Sequence, residues 1–271
     1  MNSSFMRRAY LGRGLFAAVL GVAAVATIAA KPFAPGISYR VRMVITPPDI
    51  PGMPVQGEMV IAAHGMATGG LNRLDLDSIP AMIQSTGAMM PGDYVLTLDS
   101  GRMVVVSPAS KTYSEGAPGM GGLTPDLLSQ AAFSNVSVNV EPLGAGDAIQ
   151  GFPTQRYRIT TQYGLSIMGQ FLNTSTVQEM WTAQLPTAVA TPFDGAIPAS
   201  MATGPMKELF DKTAVARKAL GTATPIKAVT TSNITGPMNV TTVQTLEMFD
   251  IKQVNVDEAM LKLPMGFTKK P

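Results

Sequence analysis

His64 is the only histidine in the chain, so a Ser-His-Asp hydrolase would have to be built on it. It sits in Ala63-His64-Gly65 at the end of an apolar run, with no nucleophile motif beside it. The neighbouring sequence supplies none of the partner roles a catalytic base needs, so an ordinary exposed or hydrogen-bonded histidine is the expectation. Asp75 and Asp77 are two residues apart, which on a strand puts both carboxylates on one face. Such a pair can do acid–base work, but solvated edge charge is the simpler reading. Zero cysteines and a single histidine exclude the usual zinc ligand sets. Gly119, Gly121 and Gly122 make a glycine-rich loop, yet neither the Gly-Lys-Ser/Thr phosphate loop nor a dinucleotide fingerprint occurs.

Methionine is frequent, at 19 residues. Soft thioethers bind copper(I), and His64-Gly65-Met66 or Met89-Met90 could contribute to such a site. Methionine is also an adaptable filler of cores and of cavities that accept variable apolar ligands. The residues are scattered through strands and loops rather than packed in Met-x-Met arrays, which favours core filling and cavity lining over copper. Asn135, Asn233 and Asn239 head Asn-x-Ser/Thr triplets, read here as chance in a Thr-rich chain. With no catalytic constellation, the chain is expected to be non-enzymatic and to carry no cofactor.

The elements around these residues are mostly strands. Tyr39, Val41, Met43 and Ile45 alternate with Arg40 and Arg42; Met59 and Ile61 alternate with Gln56 and Glu58; Tyr94, Leu96 and Leu98 oppose Thr97 and Asp99. Period-two alternation marks strands with one buried face. Asp99-Ser100-Gly101-Arg102 predicts a hairpin turn into a strand over Met103 to Ser107. Val136, Val138 and Val140 predict another strand, broken at Gly144 to Asp147. Over Thr154 to Leu165, Tyr157, Ile159 and Tyr163 fall on one side, and Arg156, Arg158 and Gln162 on the other. Further strands are expected at 172–181, 226–235 and 240–252.

The best helix runs from Gly204-Pro205 to Gly221, with Met206, Leu209, Phe210 and Leu220 on one stripe. Shorter helices are expected at 80–86, 125–133 and 257–261, and Gly/Pro-rich loops at 116–122 and 186–203. Strands at hairpin spacing with a few inserted helices predict a strongly curved antiparallel sheet or barrel.

Arg7, Arg8 and Arg13 precede an uncharged apolar run, Gly14 to Ala30, that ends in small residues. That is the layout of an export signal over residues 1–30, with cleavage expected near Ala26, Ala29 or Ala30. The run is shorter than the ~20 residues a bilayer span needs. Arg7-Arg8-Ala9-Tyr10-Leu11 loosely resembles a twin-arginine signal. Without cysteine, no lipid can be attached through a mature N-terminal Cys. A periplasmic or secreted location is therefore expected for a single domain over 31–271.

Charge supports the same division. The whole chain has 20 Lys+Arg and 18 Asp+Glu; setting aside the three signal arginines leaves 17 against 18, a net −1. The basic balance thus comes from the export head, and nucleic acid is a poor partner because phosphate binding needs clustered cations.

Several short motifs together resemble a bacterial secreted family of unknown function. Asp99-Ser100-Gly101-Arg102-Met103-Val104-Val105-Val106 with Lys111-Thr112-Tyr113 is similar to its central hairpin. Gly146 to Gly151 ahead of Arg156-Tyr157, Glu179 just before Trp181, and the closing Leu263-Pro264-Met265-Gly266-Phe267 are similar to its other elements. The likeness spans Ser38 to Lys269. The family in turn resembles the lipoprotein-carrier fold of LolA and LolB and the mycobacterial lipid-binding lipoproteins. The resemblance implies an incomplete barrel whose open side is plugged by helices over an apolar cavity. The chain departs from that pattern in its insertion at about 186–224, its Met-rich strands and its missing anchor cysteine.

Under this implied fold, Met43, Ile45, Met59, Ile61, Leu96 and Leu98 are expected to line the cavity, and Met206, Leu209 and Phe210 to cover it. The implied function is binding of a hydrophobic small molecule, a lipid or a lipoprotein acyl chain, with transient membrane contact. The alternatives are an envelope sensor or an interaction module that pairs with another envelope protein and takes no ligand, and, ranked lower, a copper-handling protein.

Overall fold

The computed structural model describes residues 33–48, 57–85, 89–98, 102–115, 131–167, 169–189, 206–237 and 239–270. The export segment, the 116–122 loop, most of the expected 125–133 helix and most of the 186–203 loop lie outside the described residues. Strands β1 (Phe33–Thr46), β2 (Met59–Thr68), β3 (Leu71–Ser78), β4 (Tyr94–Thr97), β5 (Met103–Ser107), β6 (Thr112–Glu115), β7 (Ala132–Ile149), β8 (Phe152–Ile167), β9 (Gln170–Ala183), β10 (Thr224–Thr235), β11 (Val240–Asp257) and β12 (Thr268–Lys269) form one curved, open sheet. Helix α1 (Ala81–Ser85) follows β3, α2 (Lys207–Lys218) precedes β10, and a 3-10 turn (Glu258–Leu261) follows β11. Among the described residues no helix is long and apolar enough to cross a membrane.

The strand order is β12-β6-β5-β4-β3-β2-β1-β11-β10-β9-β8-β7, with β12 parallel to β6 and the other neighbours antiparallel. The expected mainly-β architecture is therefore present. Its pleat follows the alternation: Tyr39, Val41 and Met43 are buried, while Arg40 and Arg42 are exposed. We call the side carrying Tyr39, Val41 and Met43 the inner face. It holds the main apolar cluster, which takes in Ile61 of β2, Leu74 and Leu76 of β3, Met180 of β9 and Leu246 of β11.

Two expectations fail. Strand β7 continues through Gly144–Asp147 to Ile149, because bulges at Pro142/Gly144 and Gly146/Ile149 absorb the irregular residues. Ala132 and Phe133 belong to β7 rather than to a helix, since they pair with Ser166 and Leu165 of β8. Helix α2 keeps its expected place. Glu208 lies in its first turn and Arg217 and Lys218 in its last, charges of the sign that the helix dipole favours.

One close approach fixes the inner face. The Tyr39 ring crosses Gly65 on β2, and its hydroxyl donates to Asn72 Oδ1 on β3. Burial holds the Tyr39 phenol well above its ordinary pKa, so it stays a neutral donor. A Cβ at position 65 would lie 2.5 Å from the ring. Gly65→Ala should therefore overpack this layer and cost about 1–3 kcal/mol, read as a lower urea midpoint with an unchanged slope.

Candidate functional site

The nine side chains expected to enclose one cavity fall into separate groups. Met43 and Ile61 are buried in the main inner cluster, with Ile45 packed against it. Met59 is half-buried and pairs with Ile45 at the same end of the sheet. Leu96 and Leu98 lie on the other face. Leu96 pairs with Arg73 and is buried with Tyr94, Val104 and Val106, while Leu98, Tyr113, Leu263 and Phe267 pack around them. The expected lining role of Leu96 and Leu98 on the inner face is thus corrected: Val95 is the inner-facing residue. All four residues of β4 are buried, so that strand has no exposed polar side to reveal its register.

Met206 and Leu209 are buried against Val136 of β7, with Phe133, Val138 and Tyr163 around them, and Phe210 is half-buried. Helix α2 consequently stands beside the edge strand β7 rather than over Met43 and Ile61. Only beyond its C-terminal end does Leu220 join the main cluster.

Between α2 and β7 runs an open groove of about 590 Å³. Its apolar wall is Val136, Val138 and Val140 from the strand and Val215, Ala216 and Ala219 from the helix. Val215 is 67 % exposed on the helix side of this groove. Asp211 and Lys212 stand at the rim; each is already paired along the helix, with Lys207 and Glu208 respectively. Sequence reading singled out Val136, Val138 and Val140 as a strand but missed them as a wall, because nothing local to β7 tells that a helix 70 residues later packs beside it.

The outer face is a charged ladder. Arg158 bonds Glu179 (2.8 Å) and Glu141 (3.2 Å), and Arg156 bonds Glu179 (3.3 Å). Trp181 lies between the Arg156 guanidinium, 5.1 Å from its ring centroid, and Lys227 Nζ at 5.5 Å. A Cβ on Gly146 would sit 3.0 Å from the Trp181 ring, so the glycine leaves room for the indole. Gly146, Arg156, Glu179 and Trp181, noted separately in the sequence, therefore converge on one patch of β7–β9.

A pocket of about 510 Å³ on the outer face holds His64, Met66, Arg40, Asp77 and Lys252. His64 Nδ1 lies 2.7 Å from Asp77 Oδ1, with both side chains about half exposed. Asp75 instead takes a bidentate bond from Arg73 (2.6 Å at the closest), and the Arg73 guanidinium stacks 3.9 Å over Tyr94. The two aspartates share a face as expected, but on this interior strand Asp75 bonds Arg73 and Asp77 bonds His64, so neither carboxylate lies at a sheet edge. Met66 lines the His64 pocket, whereas Met89 is buried in the core. Of the two copper donor sets considered from sequence, His64 and Met66 share this pocket, whereas buried Met89 and exposed Met90 do not present their sulfurs together. Among the described residues no three His, Cys, Asp or Glu side chains gather as a metal site.

No family model, curated protein or solved structure matches this chain.

The ladder sets a pH response. The hydrogen bond from Arg158, with its charge and that of Arg156, holds the Glu179 carboxyl below its ordinary range. A lowered folded value contributes stability above the unfolded pKa of about 4.3, and that contribution is lost as pH falls through the folded value. Glu179→Gln should lower the urea midpoint at neutral pH and flatten its decline below about pH 4. A variant whose acid limb matches the parent's would assign the acid sensitivity elsewhere.

Proposed function

We propose that the protein is a non-enzymatic binding protein of the periplasm or extracellular space, taking an apolar chain of a lipid or lipoprotein. The observation that carries this reading is the open groove between α2 and β7, walled by three valines of the strand and three apolar positions of the helix. Its volume of about 590 Å³ lies in the range of small-molecule sites. A buried methylene contributes about 0.8 kcal/mol, so a chain can be held there without a charged contact. In this reading α2 is the helical cover of a half-barrel resembling the lipoprotein carriers. It stands at the β7 end of the sheet, and the cargo enters along the helix. The N-terminal apolar segment serves export.

A second reading is supported by a different observation. The inner face of β1–β3 is filled by its own side chains, Ile37, Leu74 and Ala67 among them, which suits a scaffold or envelope sensor with no cargo. A fluorescent fatty acid separates the two. A carrier should bind it, and Val215→Asp, at an exposed position, should weaken binding about tenfold or more by placing a carboxylate against the chain. Native mass spectrometry of the protein after expression should show a lipid adduct. A protein with no adduct and no affinity for the probe is the sensor or scaffold.

A further inference from the structure

Among the described residues, the inner face carries no charge where β8 to β11 run beside the groove. Following the strand register, the inner-facing positions are Tyr157, Ile159, Thr161 and Tyr163 on β8; Thr174, Thr176, Gln178 and Met180 on β9; Ala228, Thr230 and Ser232 on β10; and Thr242, Gln244 and Leu246 on β11. The strand Asp, Glu, Lys, Arg and His residues described above, from Arg40 and His64 to Glu179, Lys227 and Glu247, occupy the opposite face.

Two rows cross this face from the groove. Val138 of the groove wall pairs with Thr161, then Thr176, Ser232 and Thr242. Val140 pairs with Ile159, then Gln178, Thr230, Gln244 and Ile45. At about 4.8 Å per strand, each row runs about 19 Å from β7 to β11. The apolar groove thus gives directly onto a field of hydroxyls and amides. Those groups are half-buried and bond one another: Gln178 Nε2 donates to Thr230 Oγ1 (3.1 Å), and the Thr176 and Ser232 hydroxyls meet at 3.1 Å.

Resting on the carrier reading above, we infer that the cargo is an uncharged amphiphile, an acyl chain bearing a glycosyl or glyceryl head whose hydroxyls bond the Thr161, Thr176, Gln178, Thr230 and Ser232 band. Hydroxyl and amide groups both donate and accept, as a polyol head requires. A carboxylate or phosphate laid on this face would lose hydration without meeting a cation. The charged side chains that line the groove are paired along the helix: Lys212 with Glu208 and Asp211 with Lys207. Tyr163, its phenol raised by burial, remains neutral.

The test is competition against a bound fluorescent acyl probe with dodecyl maltoside, monolauroylglycerol and laurate, each below its micelle-forming concentration. The two neutral compounds should displace the probe at concentrations about tenfold or more below laurate. Thr230→Val with Ser232→Val, which keeps strand propensity, should erase that preference and leave laurate unchanged. Laurate competing equally well, or a preference that survives the double variant, overturns the inference while the carrier reading stands. Failure of the probe itself to bind overturns the carrier reading first.

Discussion

Charge is sorted by the pleat, and the rest of the molecule follows from that sorting. Along each long strand the ionised residues fall on alternate positions, and the register then brings those positions together on one face. Arg158 meets Glu179, Lys227 meets Glu247, and Arg42 meets Glu247 from the other side. A slip of one residue anywhere would push an arginine into the layer of Met43, Leu246, Ala228 and Met180. Burying an unpaired guanidinium there costs far more than a surface ion pair gains, so the uncharged face fixes register more firmly than the ladder does. The ladder's own energetic share is modest, since its members are roughly one-third to one-half exposed.

An open sheet has two faces and two edges, and each needs its own solution. On the outer side of β4 and β5 the apolar residues Tyr94, Leu96, Val104 and Val106 would face water. The C-terminal segment prevents this by laying Leu263 and Phe267 across them. It is then tied down as β12, by Lys270 N to Tyr113 O (2.7 Å) and by Lys269 to Glu115 (2.9 Å). The opposite edge, β7, has 18 residues. Its bulges, Pro142 and the left-handed Asn135 (φ 52°) interrupt the row of backbone groups that another strand would need. Helix α2 adds Lys212 bonding the Val136 carbonyl.

What the sequence disclosed follows the same logic. Strands β1 and β8 were legible because one side of each is charged and the other apolar, so the alternation is unambiguous. Strand β4 was legible as a strand but not in its facing, because it is buried on both sides and Tyr-Val-Leu-Thr carries no polarity to orient it. The expected break in β7 at Gly144 arose from reading turn residues locally, whereas the continuous partner β8 draws them into bulges. The groove was the least visible feature. Its walls are Val136–Val140 and the Val215 side of α2, and valines on an edge strand look like any half-buried strand until the helix is placed. The neutrality of the inner face beside the groove follows the alternation on β8, β9 and β10, whereas on β11 Asp250 and Lys252 share the parity of Leu246 and Met248 and leave that face only through the bulge opposite Ser38–Arg40.

A stretch of face that is neutral from β8 to β11 but apolar only in part is not what core stability alone would select. Replacing Thr176, Ser232, Thr230 and Gln178 with valine or leucine would add buried apolar area on strands that already tolerate β-branched residues. The hydroxyls instead bond one another in pairs, which leaves each with a further donor or acceptor and keeps the band wettable. Purely structural selection would close this end as tightly as the Tyr39–Asn72 end is closed. The contrast between the two ends of one sheet therefore locates where the molecule gives up packing, and that place lies one strand from the apolar groove.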